Sequence, residues 1–204
     1  MIWRVLIFSA LIFPFTARAD ECASFKLHPT VHMKAPDWTK SVVQPLAPMD
    51  LWHGNVIATL VDNYDLVADI TSIEDGFCVG LKSVNATVGY SDFLVQIDIR
   101  HAPESCAYNA ILSHEDGHIR AYLSVIDDYA DDFRAAIYSA ADSVMPVFVE
   151  KSSDIDDAVA RLNNQLQSHT DVVLVKQKLN AAQEMRNKRI DQNDSGAELK
   201  KCFD

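Results

Sequence analysis

Residues 106–118 read Cys-Ala-Tyr-Asn-Ala-Ile-Leu-Ser-His-Glu-Asp-Gly-His, and this stretch decides how the second half of the chain folds. Apolar residues, aromatic residues and both histidines recur at steps of three and four as far as Tyr129, which is the period of an amphipathic helix. Ser105 stands just before the stretch, and serine is a preferred N-cap residue. The pattern predicts a long helix that begins near Cys106 and continues without proline to about Ala141.

Within that helix, His114, Glu115 and His118 form an H-E-x-x-H motif. Residues four apart lie on the same face of a helix, so the two imidazoles can bind one Zn²⁺ ion at about 2.0–2.1 Å. Glu115 follows the first histidine and lies near the metal without binding it, where a general base would act. The motif predicts His114 and His118 as zinc ligands and Glu115 as the catalytic base. The alternative is a pair of structural histidines, or a site that has lost its metal.

A catalytic zinc ion needs a third protein ligand, which the motif does not supply. The metzincin extension is excluded, because Ala121 and Ser124 stand where it has glycine and histidine. Asp127 and Asp128 lie about 14 Å beyond His118 along a straight helix, too far to share the ion. The third ligand must therefore come from a later element, and the candidates are His169, Glu184, Asp191 and Glu150.

The first 19 residues have the composition of a secretory signal peptide. Arg4 supplies a positive charge, residues 5–15 form a short apolar run, and Ala17-Arg18-Ala19 is a small-x-small cleavage site. The apolar run is too short to span a membrane. We therefore expect cleavage after Ala19 and a mature protein that is periplasmic or secreted.

Removal of residues 1–19 leaves 16 basic side chains against 29 acidic ones, a formal charge of −13. Such acidity argues against nucleic acid as a partner and, once the signal is cleaved, against a membrane surface. About 185 residues suffice for one domain with its own core. The sequence therefore predicts a single domain over residues 20–204, β-rich over 20–103 and α-rich over 104–204.

The fold class expected from these patterns is α+β. Residues 77–88 and 93–100 alternate apolar and polar side chains and are predicted as two antiparallel strands that turn at residues 90–92. Residues 56–69 fit a strand or a short helix, and Glu74-Asp75-Gly76 is a turn signal. A second long helix is predicted from Ser153 or Asp154 to about Arg189. The expected architecture is thus N-terminal antiparallel strands followed by long C-terminal helices, with the H-E-x-x-H helix as in zincins.

The four cysteines are Cys22, Cys78, Cys106 and Cys202. In an exported chain an even number of cysteines favours disulfides, and four allow three pairings. If the two predicted strands form a hairpin, Cys78 falls opposite a position near residue 103, within reach of Cys106. The hairpin therefore favours Cys78–Cys106 and leaves Cys22–Cys202 to connect the two ends.

The stretch from Cys106 to His118, followed by a long helix and by Asp191, resembles exported bacterial proteins related to the DUF922 family of predicted secreted Zn-dependent proteases. That group has a strand pair, a cysteine shortly before the H-E-x-x-H helix, and an aspartate before a final cysteine. The resemblance covers residues 77–202 loosely. The late Thr-x-His of the family has no counterpart here, because residues 194–196 read Asp-Ser-Gly.

The resemblance implies Asp191 as the third zinc ligand, or as a partner of a zinc histidine. It also implies an extracytoplasmic metallopeptidase that uses Zn²⁺ to hydrolyse peptide bonds in a peptide or protein substrate. The alternative is a non-catalytic exported binding protein with a structural or vestigial metal site.

Overall fold

The computed structural model describes residues 19–49, 53–194 and 196–203. The strands in these ranges are β1 (Thr30–Lys34), β2 (Thr39–Val43), β3 (Gly54–Ile73), β4 (Gly76–Ile97) and β5 (Val147–Val149). The helices there are α1 (Ala19–Ala23), α2 (Cys106–Ser143), α3 (Ile155–Gln167), α4 (Thr170–Asp194) and α5 (Ala197–Lys200), with a 3₁₀ turn at Ser152–Asp154. The predicted α+β class is confirmed. The predicted signal peptide lies outside the described residues, apart from Ala19.

Strand β4 is the centre of a mixed five-stranded sheet. It pairs with β3 in antiparallel fashion over almost its whole length, and its other edge carries β5, β1 and β2 in succession. Because β1 and β2 run parallel to β4, the expectation of a purely antiparallel sheet is wrong. The alternation of side chains along a strand marks which face is buried, but it carries no information about the direction of the neighbouring strand.

Two predicted strands are in fact one, because β4 continues through residues 90–92. Thr59 pairs with Asp92 and Leu60 with Tyr90, so Ser91 is the extra residue of a β-bulge rather than part of a turn. The hairpin is instead formed by β3 and β4, which turn at Glu74-Asp75, where the turn signal was predicted. The undecided residues 56–69 belong to strand β3.

Helix α2 begins as predicted, with the Ser105 hydroxyl accepting a hydrogen bond from the Tyr108 backbone N–H at 3.2 Å. Helix α4 runs antiparallel to it, because α4 residues Asp171 and Asn187 contact α2 residues Ser139 and His118 in the reverse order. The sheet and these helices bury the core, whose fully enclosed members include Val79, Val84, Phe93, Val95, Ile97, Val125, Ile137, Leu162, Leu166, Val172 and Leu179.

The second predicted helix is divided into α3 and α4. The break falls at Ser168 and His169, where the Ser168 hydroxyl bonds to the Asn164 carbonyl at 2.7 Å and the His169 N–H bonds to the Leu166 carbonyl at 3.2 Å. Serine competes with the helical hydrogen-bond pattern in this way, and here Ser168 is the C-cap residue of α3. The prediction of one continuous helix to Arg189 is therefore wrong.

The predicted disulfide pairing, Cys78–Cys106 and Cys22–Cys202, is also wrong. The disulfides are Cys22–Cys78 and Cys106–Cys202. Cys78 lies near the beginning of β4, whereas Cys106 follows the end of that strand, roughly 60 Å away if the strand were straight. Without a hairpin at residues 90–92 the two cysteines cannot meet. Two disulfides fit an oxidising compartment outside the cytoplasm.

Of the helices in the described ranges, none has both the length and the apolar character that a membrane span requires.

Candidate metal centre

The H-E-x-x-H motif lies near the beginning of α2, and the end of α4 passes beside it. Because the two helices are antiparallel, the last turns of α4 lie opposite the first turns of α2. Asp191 is on that last part of α4. The arrangement brings Asp191 to the two motif histidines, although it is far from them in sequence. In the described part of the chain, these three side chains form the one group of this kind that can hold a metal ion.

Three ligand atoms converge at this point. His118 Nε2 lies 3.0 Å from Asp191 Oδ1, His114 Nε2 lies 3.4 Å from the same oxygen, and the two Nε2 atoms are 3.1 Å apart. Zinc bound at about 2.0–2.2 Å with tetrahedral angles separates neighbouring ligand atoms by about 3.3–3.5 Å. The observed separations are close to these values. Two imidazole nitrogens and one carboxylate oxygen are also a donor set that zinc commonly takes in catalytic sites.

Asn187, one helical turn before Asp191, orients the second histidine. Its Oδ1 lies 3.1 Å from His118 Nδ1 and also accepts from Gln183 Nε2 at 3.1 Å, while its Nδ2 donates to the Tyr122 hydroxyl at 3.2 Å. An amide oxygen can only accept, so Nδ1 of His118 carries a proton. In the neutral ring, Nε2 then presents its lone pair to the convergent point. Metal-binding histidines are typically oriented through the other ring nitrogen in this way.

The convergent point is suited to a cation. The two Nε2 atoms and the Asp191 carboxylate oxygen lie 3.0–3.4 Å from one another. If His118 is neutral and carries its proton on Nδ1, only His114 can donate a hydrogen bond within this group. A second proton on His118 would instead make an imidazolium–carboxylate ion pair with Asp191. A single proton on Nε2 cannot point at both His114 and Asp191, whereas a metal ion binds all three groups at once.

The other predicted candidates for the third ligand are not in this group. His169 bonds to the Asp171 N–H, and Asp171 accepts from Ser139, which is about 30 Å from His118 along α2. Glu184 is exposed and lies about 10 Å before Asp191 along α4. Glu150 follows β5 and is not brought to the motif.

Glu115 faces the sheet and does not join the three ligand atoms. It is only 5% exposed and lies against Gly54, the first residue of β3. Burial raises the pKa of Glu115 to about 7; His118 opposes this increase, and Asp191 and Asp116 add to it. A carboxyl group with such a pKa exchanges its proton near neutral pH.

The three candidate metal ligands and Glu115 line one cleft of about 480 Å³. Its walls come from the beginning of β3, from α2, from the end of α4 and from the C-terminal segment; they include His53, Gly54, Asn55, Val56, Ile111, Tyr122, Asn187, Glu198 and Leu199. Tyr122 packs edge-on against Tyr90 with ring centroids 4.8 Å apart. Its hydroxyl accepts from Asn187, so packing and support of Asn187 are the roles its contacts show.

Neither Asn187 nor His53 was identified as a site residue from the sequence. Asn187 precedes Asp191 by four positions and therefore shares its helix face, a spacing that would have identified it once Asp191 was chosen. His53 precedes β3 and has no motif around it, so only the tertiary fold brings it to the cleft.

No family model, curated protein or solved structure matches this chain. The functional conclusion rests on the chemistry of the cleft.

Proposed function

We propose that the protein is a zinc-dependent metallopeptidase, periplasmic or secreted, with a zincin-like catalytic helix. The observation that carries the proposal is the convergence of His114 Nε2, His118 Nε2 and Asp191 Oδ1, with Glu115 lining the same cleft but outside that group. Three protein ligands with a carboxylate nearby are the arrangement of a catalytic zinc site, which keeps one coordination position for water or substrate.

In this proposal His114, His118 and Asp191 would hold the ion, and Asn187 fixes the orientation of His118. A bound zinc ion would act as a Lewis acid: it would lower the pKa of water to about 7 and polarise a substrate carbonyl. Glu115 accepts a proton from the attacking water as that oxygen bonds to the carbonyl carbon. The Glu115 carboxyl group then donates the proton to the nitrogen of the leaving amine as the C–N bond breaks.

A peptide substrate is supported by the edge of the sheet beside the cleft. Within the described residues β3 pairs only with β4, so its other edge is open to an added strand. Gly54, Asn55 and Val56 at the beginning of β3 line the cleft. An extended peptide that pairs with this edge would pass the metal ligands.

We also propose the relationship to the DUF922 family on two features of the fold. Asp191, the aspartate of the resemblance, lies against the motif histidines. Cys106 and Cys202, its two cysteines, form a disulfide.

The proposal is tested with Glu115→Gln in protein loaded with zinc. Glutamine has the same shape but cannot accept the proton, so we expect hydrolysis of a peptide mixture to fall by about 10²–10⁴-fold while the zinc content stays unchanged. Glu74→Gln is the matched control, because Glu74 is exposed and lies in the turn between β3 and β4, at the end of β3 that is far from Gly54. Unchanged hydrolysis in Glu115→Gln would overturn the mechanism. Zinc at one ion per chain without hydrolysis of any peptide would favour the binding-protein alternative.

A further inference from the structure

His53 belongs to the same cleft as the metal ligands but has no part in holding the metal. It precedes β3, and its backbone carbonyl accepts a hydrogen bond from the Asp98 N–H at 2.9 Å. The backbone of this exposed histidine is therefore tied to the loop that follows β4.

The ring of His53 is held by a second histidine. His53 Nδ1 and His101 Nε2 are 2.9 Å apart, and the ring centroids are separated by 5.0 Å. His101 is buried, with 8% exposure. When His101 Nε2–H donates to His53 Nδ1, a neutral His53 carries its own proton on Nε2. Nδ1 is occupied in this arrangement, so Nε2 is the nitrogen that a ligand in the cleft can reach.

The loop that carries His101 is built around a buried charge. The Asp98 side chain is completely buried, and its carboxylate accepts from Arg100 Nη2 at 2.7 Å and from the Met49 N–H at 2.7 Å. Gln44 Nε2 donates to the His101 carbonyl at 2.7 Å, and the His101 N–H donates to the Asp98 carbonyl at 3.0 Å. A buried carboxylate is costly unless it is fully paired, as this one is. The resulting network fixes both groups that hold His53.

We propose that His53 is a further substrate-contacting residue of the cleft, whose Nε2–H donates a hydrogen bond to the oxygen of the scissile carbonyl, and that His101 is its positioning residue. The inference rests on the proposed function. As water adds to the carbonyl carbon, the carbonyl oxygen gains negative charge, and a donor that is already oriented stabilises it more than it stabilises the neutral carbonyl.

The test uses a phosphinic peptide, whose tetrahedral anionic group resembles that charged intermediate, and needs no turnover. Calorimetric titration of the full-length zinc-loaded protein should show that His53→Ala weakens binding of this peptide by about 100-fold, the loss seen when one such donor is removed. Zinc content should stay at the wild-type value. His28→Ala is the control, because His28 is exposed and bonds to Asp142 away from the cleft; binding should not change.

The positioning role of His101 is tested by a rescue. His101→Leu removes the donor to His53 and should weaken phosphinic-peptide binding, whereas His101→Gln retains an N–H donor and should restore most of it. In turnover assays His53→Ala should lower kcat with little change in KM.

Phosphinic-peptide affinity within twofold of wild type in zinc-loaded His53→Ala would overturn the role of His53. That result would not contradict the proposed zinc site. A wild-type protein that binds no zinc would instead overturn the proposed function and this inference together.

Discussion

Gly54 lies directly against the carboxylate of Glu115. A Cβ atom at Gly54 would be 2.5 Å from Glu115 Oε1 and 2.5 Å from Ile111 Cγ2, closer than such atoms approach in proteins. Glycine is the one residue that permits this approach of β3 to helix α2. The first residue of β3 therefore determines where the Glu115 side chain lies.

Gly54→Ala should displace Glu115 without changing a metal ligand. Overpacking of this kind costs about 1–3 kcal/mol of folding free energy. We expect unfolding in urea to show that loss and peptide hydrolysis to fall at least tenfold, while zinc content is retained. Gly80→Ala is the control, since a Cβ there meets its nearest neighbour at 3.6 Å, an ordinary contact. Equal hydrolysis in the two variants would contradict the role given to Gly54.

The ion pair between the buried Asp98 and the half-exposed Arg100 predicts how stability depends on pH. Hydrogen bonds from the Arg100 guanidinium hold the pKa of Asp98 well below its usual range. In the unfolded chain this carboxyl group has its ordinary pKa of about 3.9, so below that pH the unfolded state binds more protons than the folded state. The contribution of Asp98 is therefore fully present above about pH 4 and is lost as the pH falls towards the lower folded pKa.

Asp98→Asn should remove that dependence. We expect the variant to be less stable than wild type at pH 6, and we expect the difference to shrink between pH 4 and pH 2, measured as the free energy of unfolding in urea. Asp131→Asn is the control, because its side chain is 93% exposed. A constant difference between Asp98→Asn and wild type over this range would show that the charge of Asp98 does not stabilise the fold.

The Cys106–Cys202 disulfide attaches the C-terminal segment to the beginning of α2. It joins residues separated by 96 positions, and closing a loop of that size stabilises a fold by about 2–5 kcal/mol. Replacing both cysteines by serine should lower the free energy of unfolding by that amount. The segment that includes Glu198 and Leu199 should also become sensitive to limited proteolysis, because it loses its covalent attachment at the wall of the cleft.

The other disulfide provides the comparison for this prediction. Replacing Cys22 and Cys78 by serine should also lower stability, because that bond closes a separation of 56 positions. It should leave the protease resistance of residues 196–203 unchanged. Equal release of that segment in both double variants would contradict a local role for Cys106–Cys202.

The site was predictable to the extent that it is local in sequence. The spacing of His114 and His118 requires only helix periodicity, and the cap at Ser105 and the stripe that follows it predict the helix correctly. Asp191 is different: spacing left it among several candidates, and the family resemblance favoured it. His53 had no local signal, because its place depends on the loop around Asp98.

The division of β4 into two strands and the wrong disulfide pairing have one origin. Polar residues at 90–92 can mark a turn or a bulge, and only the partner strand decides between them. Interpreting them as a turn divided β4 in two and brought Cys78 towards Cys106. The bulge at Ser91 removes the hairpin, and the disulfide pairing changes with it. The prediction of a single domain over residues 20–204 stays a prediction.

The zinc content of the protein tests the central claim most directly. The protein is stripped with a chelator, titrated with zinc and analysed for bound metal. We expect about one zinc ion per chain in wild type, none in His114→Ala or His118→Ala, and at least tenfold weaker binding in Asp191→Asn. Each histidine variant loses a ligand nitrogen, and Asp191→Asn loses the negative charge of the ligand carboxylate. His169→Ala should bind zinc like wild type, because His169 accepts a hydrogen bond from the Asp171 N–H and is not one of the three ligand residues. A wild-type protein that binds no zinc, or a His118→Ala variant that keeps its zinc, would contradict the metal centre.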